Sequence, residues 1–126
     1  MDVWLEIRTY LAENFPVLNA SDADSITVLI DVNEGRTQHV FVRESGDYLA
    51  ISSMVAQTSQ VSPDRMMRAT QSPDLVLGVR MLDDAYFAST MIPVGDLDTG
   101  ELLTAMFLVA TSADVLEREL GLGDAL

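Results

Sequence analysis

The chain has 126 residues, no cysteine, and 20 acidic residues against 7 basic ones, which gives a formal net charge of −13. This acidity argues against binding of nucleic acids and anionic membranes, because affinity for phosphates depends on basic side chains. Without cysteine, disulfides, thiolate metal sites and thiol nucleophiles are excluded. Since 48% of the residues are hydrophobic, we expect one folded domain spanning residues 1–126.

The N-terminal segment, residues 2–15, has the pattern of an amphipathic helix that ends at Pro16. Its apolar stripe consists of Trp4, Ile7, Leu11 and Phe15. The segment carries acid where a signal peptide carries base, and no stretch of the chain approaches the roughly 20 apolar residues of a membrane span. The sequence therefore predicts a cytoplasmic protein. A polar loop over residues 19–25 is predicted to follow the first helix.

Three strands joined by short turns are predicted next. Apolar residues alternate with other residues over 26–32, 39–43 and 48–55, which is the period of a strand. Residues 33–35 (NEG) and 45–47 (SGD) carry the residue types of tight turns. Because such short connections cannot form parallel crossovers, the pattern indicates an antiparallel meander.

A short helix and a second hairpin complete the middle of the chain. Ser62 is a candidate N-cap, Pro63 suits the first helical position, and the helix must end before Pro73. Strand patterns over residues 75–81 and 86–92 then flank an acidic turn.

The final element is a long helix, for which Asp98 or Thr99 is the predicted N-cap. Its buried stripe comprises Leu102, Met106, Val109, Ala113, Leu116 and Leu120. An adjacent stripe comprises Leu103, Phe107 and Ala110. Glu117 is assigned to the polar end of the helix, and Gly121 or Gly123 ends it. The predicted fold is α+β, in the order α-β-β-β-α-β-β-α.

Three segments carry a family resemblance. They are residues 41–49 (FVRESGDYL), the hairpin over 76–91, and residues 109–117 (VATSADVLE) in the last helix. With the element order, they make the chain similar to the YbjN-like proteins of bacteria, which share the type III secretion chaperone-like fold. The resemblance implies helices packed on a twisted antiparallel sheet, a homodimer, and protein binding rather than catalysis. A likeness of fold does not by itself determine function.

No catalytic, cofactor or metal site is predicted, and the chain is interpreted as not being an enzyme. His39 is the single histidine, and a general base also needs an orienting partner and a nucleophile. We interpret it as a surface residue of a strand. Acidic residues cluster at three places, namely Asp22 with Asp24, Asp83 with Asp84, and residues 96–101. Their spacing fits no calcium loop, and turns and helix caps explain them.

The candidate protein-interaction residues centre on Met66 and Met67. Adjacent helical residues point about 100° apart, so a short helix cannot easily bury both against one sheet. We expect one of the two to face a second subunit or a client protein. Arg65 and Arg68 flank them and are candidates for the rim of that interface. Met54 is a further candidate, because methionine gives an adaptable apolar surface.

Three functions remain open from the sequence. The leading hypothesis is a chaperone-like or regulatory domain that binds a protein client through apolar patches, with its acidity favouring basic client segments. The alternative is a sensor that holds a small apolar molecule between the last helix and the sheet. An enzyme would have to rely on a pair of carboxylates. Solubility explains the acidity equally well.

Overall fold

The computed structural model describes residues 3–33, 35–75 and 77–122, which form three helices and six strands. In chain order, the elements are α1 (Val3–Asn14), β1 (Val17–Asn19), β2 (Ser25–Asn33), β3 (Arg36–Ser45), β4 (Tyr48–Gln57), α2 (Pro63–Ala69), β5 (Val79–Leu82), β6 (Ala85–Pro93) and α3 (Thr99–Glu119).

All six strands form one open antiparallel sheet in the order β1-β2-β3-β4-β6-β5. The predicted α+β class and antiparallel pairing are confirmed, but the sequence predicted five strands. The additional strand is β1, whose Val17 pairs with Val28 and whose Asn19 pairs with Thr27. Its three residues are too few to show an alternation, and the predicted polar loop overlaps its last residue.

All three described helices pack on the same face of the sheet. One core cluster joins the apolar side of α1 and the first half of α3 to β2, β3 and β4. The other joins α2 and the second half of α3 to β4 and β6. The six residues of the predicted α3 stripe are all buried. Each large aliphatic side chain buried in this way contributes roughly 1.5–3 kcal/mol to folding.

The second predicted stripe of α3 is only partly correct. Ala110 is buried, Leu103 is half-buried, and Phe107 is 43% exposed. A helix that lies on a sheet buries one side only, so the stripe furthest from the sheet meets solvent.

The helix ends follow the predicted capping chemistry. The Ser62 hydroxyl accepts a hydrogen bond from the backbone N–H of Arg65 (3.3 Å), and the Asp98 carboxylate accepts one from the N–H of Glu101 (2.8 Å). Gly121, with φ of 71°, follows the end of α3 in the left-handed conformation. Gly123 lies outside the described residues.

The first strand of the second hairpin is shorter than predicted. β5 begins at Val79 rather than at residue 75, and Val76 lies outside the described residues. Leu75 packs on the core cluster beside α2, and Leu77 on the cluster beside α1. Their apolar character therefore reflects packing in a connection, which a strand pattern cannot distinguish from pairing.

A buried polar network joins the C-terminal half of α3 to the sheet. The prediction that Glu117 lies at a polar end is wrong, because its side chain is fully buried and accepts a hydrogen bond from the Gln38 side chain. Asp114 is 2% exposed and is paired with Arg36 and, at 3.1 Å, with Arg118. The guanidinium of Arg36 also lies 4.0 Å from the Glu117 carboxylate. Buried carboxylates require such partners, since an unpaired buried charge costs several kcal/mol.

One described helix, α3, is long and apolar enough to cross a membrane by length and composition alone. This corrects the expectation that no segment approaches that length. The core helix of a soluble protein meets the same criterion. Eleven residues of α3 are buried, and Asp114 and Glu117 among them are held by polar partners. The packing thus accounts for the apolar composition of α3.

Candidate functional site

The candidate site lies on the face of the sheet opposite the three helices. Among the described residues no helix packs there, and we call this side the helix-free face. Large apolar side chains on it remain exposed: Phe41 (37%), Tyr48 (48%), Leu82 (49%) and Met91 (49%). Exposed aromatic and aliphatic side chains gathered on one surface are typical of an interaction site.

The strand register places small residues at the centre of the helix-free face. Ser52 pairs with Phe41 on one side and with Ser89 on the other, and Ala50 pairs with Met91. The small side chains of Ala50, Ser52 and Ser89 form the floor of a cavity of about 420 Å³. We call it the central depression. Larger side chains surround its floor, namely Phe41, Leu82, Phe87 and Met91.

Two arginines, Arg43 and Arg80, also line the central depression. Arg43 pairs with Ala50 on β4, and Arg80 pairs with Phe87 on β6, so they lie on opposite sides of the depression. Glu44 is the one acidic residue among the lining residues. The local formal charge is therefore +1, in a chain whose total is −13. The depression is a locally positive surface on an acidic protein.

The sequence-predicted residues of α2 separate into core and surface. Met66 is 2% exposed and packs in the core, whereas Met67 is 66% exposed, as their angular spacing predicts. The prediction that Met66 is an interaction residue is thus corrected, because its buried side chain cannot contact a partner. The guanidinium of Arg65 donates to the Leu120 carbonyl (2.6 Å), and that of Arg68 donates to the Asp64 carbonyl (3.4 Å).

Met54 lies away from the α2 residues. It pairs with Phe87 on the helix-free face, where it is half-buried. The α2 helix packs on the other side of the sheet. The structure therefore does not bring the five predicted residues together, and of these only Met54 belongs to the helix-free face.

A second cavity, of about 550 Å³, lies between the first half of α3 and β6. Its apolar lining consists of Leu77, Ile92, Ala105 and Leu108. This is the region in which the alternative hypothesis places a small-molecule pocket. Asp98 and Glu101 also line the cavity, but the Asp98 carboxylate is engaged as the N-cap of α3.

Comparison of the chain with known protein families, curated proteins and solved structures gave no match. The resemblance to the YbjN-like proteins stays a prediction. The function is therefore inferred from the geometry of the helix-free face and of the cavity between α3 and β6.

The helix-free face offers little acid–base chemistry. His39 is half-buried on this side of the sheet and does not line the central depression. No group of three metal-binding side chains occurs within residues 3–33, 35–75 and 77–122. What the face does offer is shape, apolar surface and two cationic groups, which are means of binding.

The sequence contained part of the signal for this site. Along β3, the residues facing the helices include Val40 and Val42, whereas the alternate residues include Phe41 and Arg43. The alternation was visible, but it does not show which side the helices cover. The pairing of Ser52 with Ser89 joins positions in two different hairpins, and no local pattern specifies it.

Proposed function

We propose that this domain is a non-enzymatic, chaperone-like or regulatory module that binds a protein partner through the helix-free face, in the cytoplasm. The observation that carries the proposal is the group of exposed apolar side chains on the helix-free face, of which Phe41, Leu82 and Met91 line the central depression. A partner that buries them gains roughly 25 cal/mol for each Å² of apolar surface removed from water. Part of this gain offsets the entropy lost on association.

The charge of the chain favours a protein as the partner. Nucleic acids and anionic membranes carry dense negative charge, which a chain of net charge −13 repels. A polypeptide segment combines apolar side chains with few charges and can lie across a pleated surface. The family resemblance also implies protein binding, and it implies a homodimer.

The decisive experiment compares two matched substitutions. Phe41→Asp places a charge on the helix-free face, whereas Met67→Asp changes an exposed apolar residue on the opposite side of the sheet. We expect a photo-crosslinker at Tyr48 to capture a protein in cells, and Phe41→Asp to abolish this crosslink while Met67→Asp leaves it unchanged. Equal crosslinking in all three proteins would exclude the helix-free face as the binding surface.

A second candidate function is the sensing of a small apolar molecule. The cavity between α3 and β6 favours it, because it is mostly apolar and has the volume of a small-ligand site. Thr104 is exposed and lines this cavity, so Thr104→Trp should fill it without disturbing the core. We expect the wild type to bind an uncharged apolar dye such as Nile red and this variant to bind it at least fivefold more weakly. Equal dye fluorescence in both would argue against the pocket.

A further inference from the structure

We propose that the polypeptide segment bound on the helix-free face carries two carboxylates about six residues apart, one for Arg43 and one for Arg80, with apolar residues between them. This inference rests on the proposed function and adds the chemistry of the partner. It also reverses the sequence-based expectation that the clients are basic.

The first support is the contrast between these two arginines and the other five. Within the described residues, each of the other five arginines has at least one hydrogen bond or ion pair with another group of the chain: Arg8, Arg36, Arg65, Arg68 and Arg118. Arg43 and Arg80 have none with the described residues, and both are exposed. The two unengaged guanidinium groups of an acidic chain thus line the same depression.

The second support is the distance between them. Arg43 lies on β3 and Arg80 on β5, which are three strand spacings apart in the sheet, or about 14 Å. Along the strands, Arg43 is level with Met91 and Arg80 with Phe87, an offset of four residues or about 13 Å. The diagonal between the two backbone positions is therefore about 20 Å.

This distance selects the kind of ligand. Side chains stand roughly perpendicular to a sheet, and in that orientation the two guanidinium groups are about as far apart as their backbones. One small carboxylate cannot contact both of them. An extended polypeptide advances about 3.3 Å per residue and covers the diagonal with about six residues. Two acidic residues at that spacing reach both arginines, each in a charge-assisted contact of the kind that arginine and carboxylate form.

The surface along the diagonal suits the residues between the two acids. Ser52 and Ser89 lie at its centre and leave room above the sheet. Phe41 and Phe87 stand beside this path and offer aromatic surface to apolar side chains. The occupant is therefore an extended segment of the form acid, apolar residues, acid. It is not a polyanion, because a dense negative charge meets long-range repulsion from the rest of the chain.

Synthetic peptides of about twelve residues test the inference directly, since the spacing of charges along an extended chain is set by their positions. The probe carries two Asp residues six positions apart with Leu and Val between them. One control has Lys in place of both Asp residues, and another has the two Asp residues adjacent. Binding to the whole chain is measured by fluorescence anisotropy at low and at high salt.

We expect the spaced Asp peptide to bind at least fivefold more tightly than either control and to weaken with salt. Arg43→Gln and Arg80→Gln should each weaken it at least fivefold. Arg68→Gln is the matched control, because Arg68 lies on α2 on the other side of the sheet, and it should change nothing.

Other results overturn the inference in distinguishable ways. Tighter binding of the Lys peptide would overturn the charge assignment while leaving the proposed function intact. If no peptide binds but a protein is still crosslinked at Tyr48, the charge assignment is likewise overturned and the proposed function stays intact. No peptide binding and no crosslink would remove both proposals. A change of molecular mass in Arg43→Gln would identify a second copy of the chain as the occupant and would also overturn the inference.

Discussion

The side-chain amide of Gln38 donates a hydrogen bond to the carboxylate of Glu117, 79 positions later in the chain, and both side chains lie in the core. The bond connects β3 to the last turn of α3. Ser53 extends the contact, because the single proton of its hydroxyl is shared between two acceptors, the Gln38 side-chain oxygen (3.1 Å) and the His39 carbonyl (2.8 Å). A polar network in the core fixes the position of α3 over the sheet more specifically than apolar contact alone.

Gln38→Leu should destabilise the fold by about 2–4 kcal/mol, because it removes one donor from a buried carboxylate. The double variant Gln38→Leu/Glu117→Leu should recover much of that loss, since it leaves no buried charge at this position. Urea unfolding of the two single variants and the double variant gives the coupling energy. Strictly additive losses would show that the two side chains do not act as a pair.

Two buried serines should respond in opposite directions to replacement by alanine. The Ser112 hydroxyl on α3 is buried without a hydrogen-bond partner among the described residues, so Ser112→Ala should raise the free energy of unfolding by about 0.5–1 kcal/mol. Ser53→Ala should lower it by about 1–2 kcal/mol, since it removes the donor to Gln38 and His39. Thermal unfolding of both variants tests this contrast, and shifts of equal sign would contradict it.

The two methionines of α2 should separate folding from assembly. Met66→Asp places a charge in the core and should destabilise the fold by more than about 3 kcal/mol. Met67→Asp should leave the fold of the single subunit intact and dissociate the homodimer that the family resemblance implies, so only the stabilisation by dimerisation is lost. Light scattering should give twice 13.8 kDa for the wild type and 13.8 kDa for Met67→Asp. Phe41→Asp is the control, and dissociation by that variant instead would place the dimer contact on the helix-free face.

Filling the central depression should abolish partner binding without affecting the fold. Ser52→Trp occupies the floor from the exposed side of β4, so its free energy of unfolding should stay within about 0.5 kcal/mol of the wild type. Its crosslink through Tyr48 and its binding of the spaced Asp peptide should be lost. Thr111→Trp, on the exposed side of α3, should retain both. Retained binding in Ser52→Trp would show that the depression is not occupied in the complex.

The parts of the fold that the sequence predicted are those with long periodic patterns. The α3 stripe repeats over five turns, and the caps at Ser62 and Asp98 have a local chemical cause. The sequence could not predict the burial of Glu117, because charged residues are expected at the surface and its partners are distant in the chain. β1, with three residues, is too short for any period to show.

The candidate site was predictable only in part, for a related reason. Alternation along β3 and β4 indicated two sides for each strand, but the side that helices cover depends on how the whole chain folds. Met67 was correctly identified as one of two methionines that cannot share the core. Arg43 and Arg80 lie 37 positions apart and become neighbours of one depression only through the register of four strands.

The position of β6 between β4 and β5 has a consequence for synthesis of the protein. A nascent chain that has emerged from the ribosome as far as α2 has an unprotected edge on β4, and the helix that covers most of its sheet is not yet made. Such an intermediate exposes Val42 and Ile51 to solvent until α3 follows. Stalled or truncated products should therefore aggregate, and the native state should form only after translation has passed α3.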